Sequence, residues 1–378
     1  MKSIWGKIAF FCLLASAPAS AQPSPQGAPG QVEVEIVASL QTSVGNVAVT
    51  PDNQIIFSQH PFYQPDIRVS KLTSATTSEP WPSLAWNTPR KTDDHYLDNV
   101  LGLRADETGV IWMIDMGFRT HITPKLVGWN ALTNKLERIY YMPAPVTRAS
   151  SQPQDIVIDR KHRKFYIADE DAGPGGDGSR AAIIVIDMDT GVGRRVLEGD
   201  RSTAAENYPI VAEGRELVIP TADGKTRPLT IGCDGITMDH KAEWVYFSAL
   251  NSRSIWRIRT SDLNDASLSP EKLSSKVERY SGKPTGGSIS MDYAGNIYAN
   301  SEDTRSVDVI TADGKSAIYA THPDMVSPDG LAYAPDGFYY GNASQVAKAA
   351  IFNGGVAGNR PPYVIYRFKP IEPAFYGR

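Results

Sequence analysis

Six stretches of this chain share one grammar, and that recurrence constrains the fold more than any other feature. They begin at Gly45 ("GNVAVTPDNQIIFSQ"), Asn99 ("NVLGLRADETGVIWMID"), Asp155 ("DIVIDRKHRKFYIAD"), Asp234 ("DGITMDHKAEWVYFS"), Gly287 ("GSISMDYAGNIYANS") and Asp329 ("DGLAYAPDGFYYGN"). Each runs through a short alternating strand, a polar turn and a second strand rich in aromatic and β-branched residues. Period-two alternation around a tight polar turn is the signature of a β-hairpin. The turn aspartates are Asp52, Asp106, Asp159, Asp239, Asp292 and Asp336, spaced 54, 53, 80, 53 and 44 residues apart. The long interval holds an insertion from about Glu198 to Thr230, rich in turn-forming and charged residues. Most hairpins are followed by further strand-like sequence, such as "KLVGWNALTNKLERIYYM" from Lys125 and "AAIIVIDMDTGVGRRVLE" from Ala181. Four strands in each unit of this length is the grammar of a propeller blade. The chain therefore reads as all-β, a six-bladed β-propeller, with residues 32–378 forming one domain. The last strand, "YVIYRFKP" from Tyr363, fits either as the close of blade six or as a partner for the N-terminal unit. Few helices are expected; Ser344 to Phe352 is the best candidate, with serine at the N-cap.

The first residues stand outside this pattern. Lys2 and Lys7 flank a short basic region, "IAFFCLLASA" (Ile8 to Ala17) is apolar, and Ala19-Ser20-Ala21 supplies small residues. This predicts a signal peptide over 1–21, cleaved near Ala21, and hence a secreted or periplasmic protein. Ten apolar residues fall short of the roughly 20 that span a bilayer, and no later segment is long and apolar enough to cross one. Residues 22–31 read as a flexible lead. Without Lys2 and Lys7 the chain has 36 basic against 42 acidic residues, a net charge of −6. That balance argues against nucleic acid as a partner. Only Cys233 remains after cleavage, so no internal disulfide can form.

In a propeller the first strand of each blade lines the central channel. The residues opening those strands are Gly45, Asn99, Asp155, Asp234, Gly287 and Asp329, with Gln154 as the alternative to Asp155. Four polar side chains would then meet at one mouth. Converging carboxylates are tolerated with a bound cation, a cationic ligand or raised pKa values. The expected ligand-binding set is Asn99, Asp155, Asp234 and Asp329, joined from the ends of the second strands by His60, Asp115, Asp169, Asn251, Asn342 and the acidic "NSED" at Asn300 to Asp303. For any single aspartate the plainer role is to set its own turn. "ADEDAGPGGDGSR" (Ala168 to Arg180) lacks the ligand spacing of an EF-hand and reads as a loop over the channel. No Gly-x-Ser-x-Gly elbow, His-Glu-x-x-His or paired-cysteine pattern occurs.

"QPQDIVIDRKHRKFYIADED", "CDGITMDHKAEWVYFSALNSRSIWRIRTSDL" and "VSPDGLAYAPDGFYYGN" resemble the major royal jelly protein/Yellow family, over about Val32 to Pro370. The chain looks like a bacterial-type secreted member. The resemblance implies a propeller with a ligand site in its channel. Insect members include proteins linked to dopachrome conversion and salivary proteins that bind biogenic amines. Asp155, Asp234 and Asp329 suit an amine, with Phe62, Phe118 and Tyr340 as candidate cation–π partners. For a dopachrome tautomerase or isomerase, Asp234 and Asp329 are the candidate catalytic groups. The alternative is a gluconolactonase/regucalcin-like lactone or ester hydrolase, in which a divalent ion such as calcium polarises the carbonyl. That family has a metal-binding Glu opening blade one, Asn in the middle blades and Asp in blade five. Here Gly45 and Gly287 stand at the first and last of these places. Asn99, Asp234 and Asp329 would have to hold an ion differently. A third reading is a non-catalytic cell-envelope interaction protein.

Overall fold

Alternation puts every second residue of these strands against a neighbouring sheet, so the strands are stable only when stacked face to face. The computed structural model describes residues 30–221 and 223–376, and the expected signal peptide lies outside them. Six antiparallel four-stranded sheets are arranged as propeller blades. Their inner strands are Asn46–Val49, Val100–Ala105, Pro153–Asp159, Cys233–Met238, Ile289–Met291 and Pro328–Tyr333, for blades one to six. Each packs against the inner strands of both neighbouring blades, and the circle closes between blades six and one.

Tyr363–Phe368 is the third strand of blade six, pairing with Tyr339–Ala343 on one side and Val34–Leu40 on the other. It thus takes both of the places open to it in the sequence, because the N-terminal strand completes the last blade. Six apolar cores fill the seams between blades. The one between blades three and four centres on Tyr166, Phe247 and Ile258; that between five and six centres on Tyr298, Tyr339, Tyr366 and Phe368. Each large apolar side chain so buried contributes about 1.5–3 kcal/mol.

The turn aspartates hold their own turns, and Asp106 also pairs with Arg160 of the next blade. Asp106 accepts the N–H groups of Thr108 and Val110 and the Trp112 indole N–H, while Asp239 accepts those of Glu243 and Trp244. The helix expected over Ser344 to Phe352 is instead two 3₁₀ turns, Val346–Lys348 and Ala350–Phe352. Asn353 and two glycines follow at once, leaving no room for a longer helix. The α-helices are short, Thr260–Asn264 and Pro270–Ser274, and link the outer strands of blade four. The insertion folds as two small hairpins, Val211–Ala212 with Arg215–Glu216 and Val218–Pro220 with Thr226–Pro228.

Candidate functional site

A cavity at the mouth of the channel is lined by both polar rings and roofed by the insertion; about 610 Å³ of empty space lies in it and in the open solvent at its mouth. The first ring follows from hairpin geometry. In five blades the inner strand ends at a residue whose N–H bonds across the turn: Thr50, Asp106, Asp239, Asp292 and Ala334. Five residues before each stand Gly45, Leu101, Asp234, Gly287 and Asp329, and five before Asp159 in blade three stands Gln154. All but Gly45 line the cavity.

Two expected members of this ring are displaced. Asn99 lies two residues too early, and Leu101 takes its place because the strand bulges between Val100 and Leu103. Asp155 lies one residue too late; Gln154 faces the cavity instead. The Asp155 carboxylate drops to the next layer of the channel and pairs with Arg104, which also donates to the carbonyl of Leu331 across the ring.

The second ring comes from the ends of the return strands. The N–H groups of Met116, Glu170, Leu250, Glu302 and Ser344 each bond the carbonyl of the chain entering the blade. His60 takes the equivalent place in blade one, its N–H bonding the Ser43 hydroxyl. Of these, His60, Glu170, Leu250 and Glu302 line the cavity. Asp115 and Asp169 precede ring members by one residue, and a one-residue offset in a strand reverses the side chain. Asp115 faces the sheet, accepting the N–H groups of Asp98, Asn99 and Gly117 and pairing with Lys125 at 2.9 Å. Asp169 accepts from the Gln152 N–H and the Ser151 hydroxyl and pairs with Arg195. Asn251 accepts the Ile231 N–H and donates to Tyr208 and Leu229, which anchors the insertion. Asn342 donates to the carbonyls of Val44 and Gly45 and so ties blade six to blade one. These four are structural residues.

Of the expected aromatics, Phe62 reaches the cavity, edge-on to Phe352. Phe118 packs at Gly173 and Tyr340 lies in the seam between blades six and one, its hydroxyl donating to Asp336. Glu170 is the principal residue that the sequence reading left out of the site. The signal for it was present: in "YIADED" the strand's alternation places Ala168 and Glu170 on one side and Asp169 on the other.

The cavity has an acidic floor and an apolar roof. Ile210, Leu217, Leu229 and Ile231 from the insertion and Val346 and Phe352 from the last blade form the roof. Glu213 latches it, pairing with Arg305 at 2.7 Å and Lys348 at 3.1 Å, while Arg215 donates to the carbonyls of Phe352 and Ala347. On the floor, Glu170 and Asp234 both line the cavity and interact electrostatically, so ionising one disfavours ionising the other. Burial pushes both well above the usual carboxylate range, reinforced by each other's neighbourhood of Asp329 and Asp155 at Asp234 and by Asp234 at Glu170. Burial raises Asp329 to about 7 and Glu302 to about 8, the latter helped by the Asp329 charge. His60 is held neutral, its pKa lowered by burial to about 3. Lys283, behind Asp234, donates to the carbonyls of Pro284 and Gly286; burial lowers it to about 7 against the pull of Asp234. Gly287 is required here: a Cβ would lie 2.9 Å from Asp234 Oδ2.

A model of the major royal jelly protein family matches residues 99–329. The chain belongs to the major royal jelly protein family. The match runs from blade two to the opening of blade six and takes in Glu170, Asp234, Glu302 and Asp329. A comparison with curated proteins found no match. Among solved structures, a gluconolactonase from Xanthomonas campestris is similar with 10% identity and a TM-score of 0.57, over 90% of this chain and 91% of that one. A protein described as belonging to the gluconolactonases is similar with 12% identity and a TM-score of 0.56, over 93% and 96%. A luciferin-regenerating enzyme is similar with 10% identity and a TM-score of 0.54, over 92% and 98%. At such identities the likeness shows a shared fold.

A gluconolactonase-type ion on the channel axis does not fit this family member. Glycine or leucine occupies Gly45, Leu101 and Gly287, where oxygen donors would be needed. Among the described residues no three His, Cys, Asp or Glu side chains are grouped to hold a metal.

Proposed function

We propose that the cavity binds a small molecule with an aromatic or apolar body and moves a proton within it, as a tautomerase or isomerase does. The observation carrying this reading is the Glu170–Asp234 pair, two buried, interacting carboxyl groups that line one cavity beneath an apolar roof. Burial raises both carboxyl groups well above the usual carboxylate range, and carboxyl groups so raised can take up and hand on a proton. Asp234 takes a proton from one atom of the ligand, and Glu170 returns one to another atom. The ligand leaves isomerised, and the pair ends with as many protons as it began with. Oδ1 of Asp234 has no hydrogen-bond partner among the described residues and is free to face the reacting atom. Glu170 and Asp234 favour a ligand whose polar end is cationic or a donor over an anionic one. A catecholic or related aromatic amine derivative meets both demands. The apolar roof lowers the polarity around the floor, which strengthens the charge interactions there.

Support for a lactone hydrolase is the fold of the gluconolactonase neighbours, and the axial donor set speaks against it. The signal-like segment at 1–21 supports a place of action outside the cytoplasm. The test is to follow dopachrome and a lactone spectroscopically with wild type and Asp234→Asn. Isomerisation of dopachrome by wild type, lost in Asp234→Asn, supports the reading. Turnover of the lactone alone, or dopachrome conversion unchanged in the variant, overturns it.

A further inference from the structure

At one side of the cavity floor, between blades five and six, lies a buried polar slot whose groups take no part in the proton transfer itself. Asn300 and Glu302 leave the return strand of blade five on the same side, two residues apart, as does Tyr298, which packs against blade six. Asn300 is 1% exposed, and neither its amide nitrogen nor its amide oxygen has a hydrogen-bond partner. Its backbone N–H bonds the Ser288 carbonyl, and the Ser288 hydroxyl reaches Asp329 Oδ1 at 3.3 Å, which sets Asn300 at the level of Asp329. From blade six, Tyr366 lies across Gly341 so closely that a Cβ there would be 2.6 Å from its hydroxyl. That hydroxyl is fully buried and has no partner either, and it feels the charges of both Asp329 and Glu302. Oε2 of Glu302 is likewise unpartnered. Among the described residues no lysine, arginine or histidine pairs with Glu302 or Asp329; Arg305, three residues after Glu302, and Lys348 are taken up by Glu213.

Unpartnered polar atoms this deeply buried are costly, and natural proteins satisfy them with water or an ion. Water alone supplies no counter-charge when Asp329 and Glu302 ionise. Every group here except the Asn300 nitrogen offers oxygen, the hard donor that calcium prefers over nitrogen or sulfur. We propose that this slot binds one hard divalent cation of the calcium class, held by Glu302 and Asp329 with the Asn300 amide oxygen and the Tyr366 hydroxyl. The site differs from the axial ring of the gluconolactonase type, since it takes only Asp329 from that ring and its other groups from the later strands of blades five and six. It neutralises the half of the floor that faces away from Glu170 and Asp234. Those two are then left as the acid pair presented to the ligand.

The experiment is calorimetric titration of chelator-treated protein with calcium chloride alone, alongside thermal unfolding with and without the ion. One calcium bound per chain and a raised Tm are expected in wild type and in Asp234→Asn. Glu302→Gln should abolish both effects. Tyr366→Phe, which keeps the packing over Gly341, should weaken binding by about tenfold or more. Circular dichroism confirms that each variant is folded. No calcium binding, a response to sodium only, or binding unaltered in Glu302→Gln and Tyr366→Phe overturns the proposal. None of these readouts involves turnover, so failure here leaves the proton-transfer reading to its own test.

Discussion

Asp115 and Asp234 look alike in the sequence, each an aspartate at the channel end of a strand, yet the structure gives them opposite work. Asp115 and Lys125 form an ion pair in which both side chains are 0% exposed. Asp115 also accepts three backbone N–H groups at 2.9–3.1 Å. Replacing it with asparagine keeps the shape and removes the charge. Breaking a buried pair by neutralising one partner costs about 3–5 kcal/mol. The three N–H bonds weaken as well, since bonds to a charged acceptor are worth about 1.5–3 kcal/mol against about 1 for a neutral one. Asp115→Asn should therefore lose at least about 3 kcal/mol in urea unfolding at unchanged m-value. Asp234→Asn removes a carboxyl group whose Oδ1 is unpartnered and which burial already disfavours as an anion. It should change stability by no more than about 1 kcal/mol, in either direction, while losing the ligand-dependent function. A loss below about 1 kcal/mol for Asp115→Asn, with Asp234→Asn the more damaging of the two, would refute the division into structural and functional acids.

Other consequences can be checked directly. Gly287→Ala places a Cβ 2.9 Å from Asp234 Oδ2, so it should abolish ligand turnover while circular dichroism stays native. Lys283 has a folded pKa near 7 against 10.5 for a free lysine. The unfolded chain binds the extra proton between those values, so this residue's penalty is full below pH 7 and disappears as pH rises towards 10.5. Lys283→Met should flatten the rise in stability over that window, measured by urea unfolding at successive pH values; an unchanged slope would count against a buried, depressed amine. Glu213→Gln frees Arg305 and Lys348 from the roof. It should cost at most about 1 kcal/mol, because Arg305 is partly exposed, yet stopped-flow mixing should show faster ligand binding and release.

The repeat made the blades legible, because hairpin alternation is a local signal that survives without tertiary context. Asp234, Asp329 and His60 were legible for the same reason, each standing at a fixed offset from a turn. Asn99 and Asp155 were misplaced because bulges in the inner strands shift the count, while the offset from the turn residue is preserved: five back from Asp106 and Asp159 gives Leu101 and Gln154. Asp115 and Asp169 were misread through parity, one residue from the side that faces the channel. The roof was illegible in a stronger sense. Ile210, Leu217, Leu229 and Ile231 lie in a stretch without periodicity, and only contact with Phe352, more than a hundred residues later, makes them a surface.

The pairing of Val34–Leu40 with Tyr363–Phe368 carries one more consequence. The first strand to emerge during synthesis must wait for nearly the last, so a partly made chain can assemble five blades but has no finished circle. Shortening the protein at either end damages the same sheet. Joining the two ends and opening the chain at an exposed turn elsewhere, such as Gly314, would move that seam without altering the cavity.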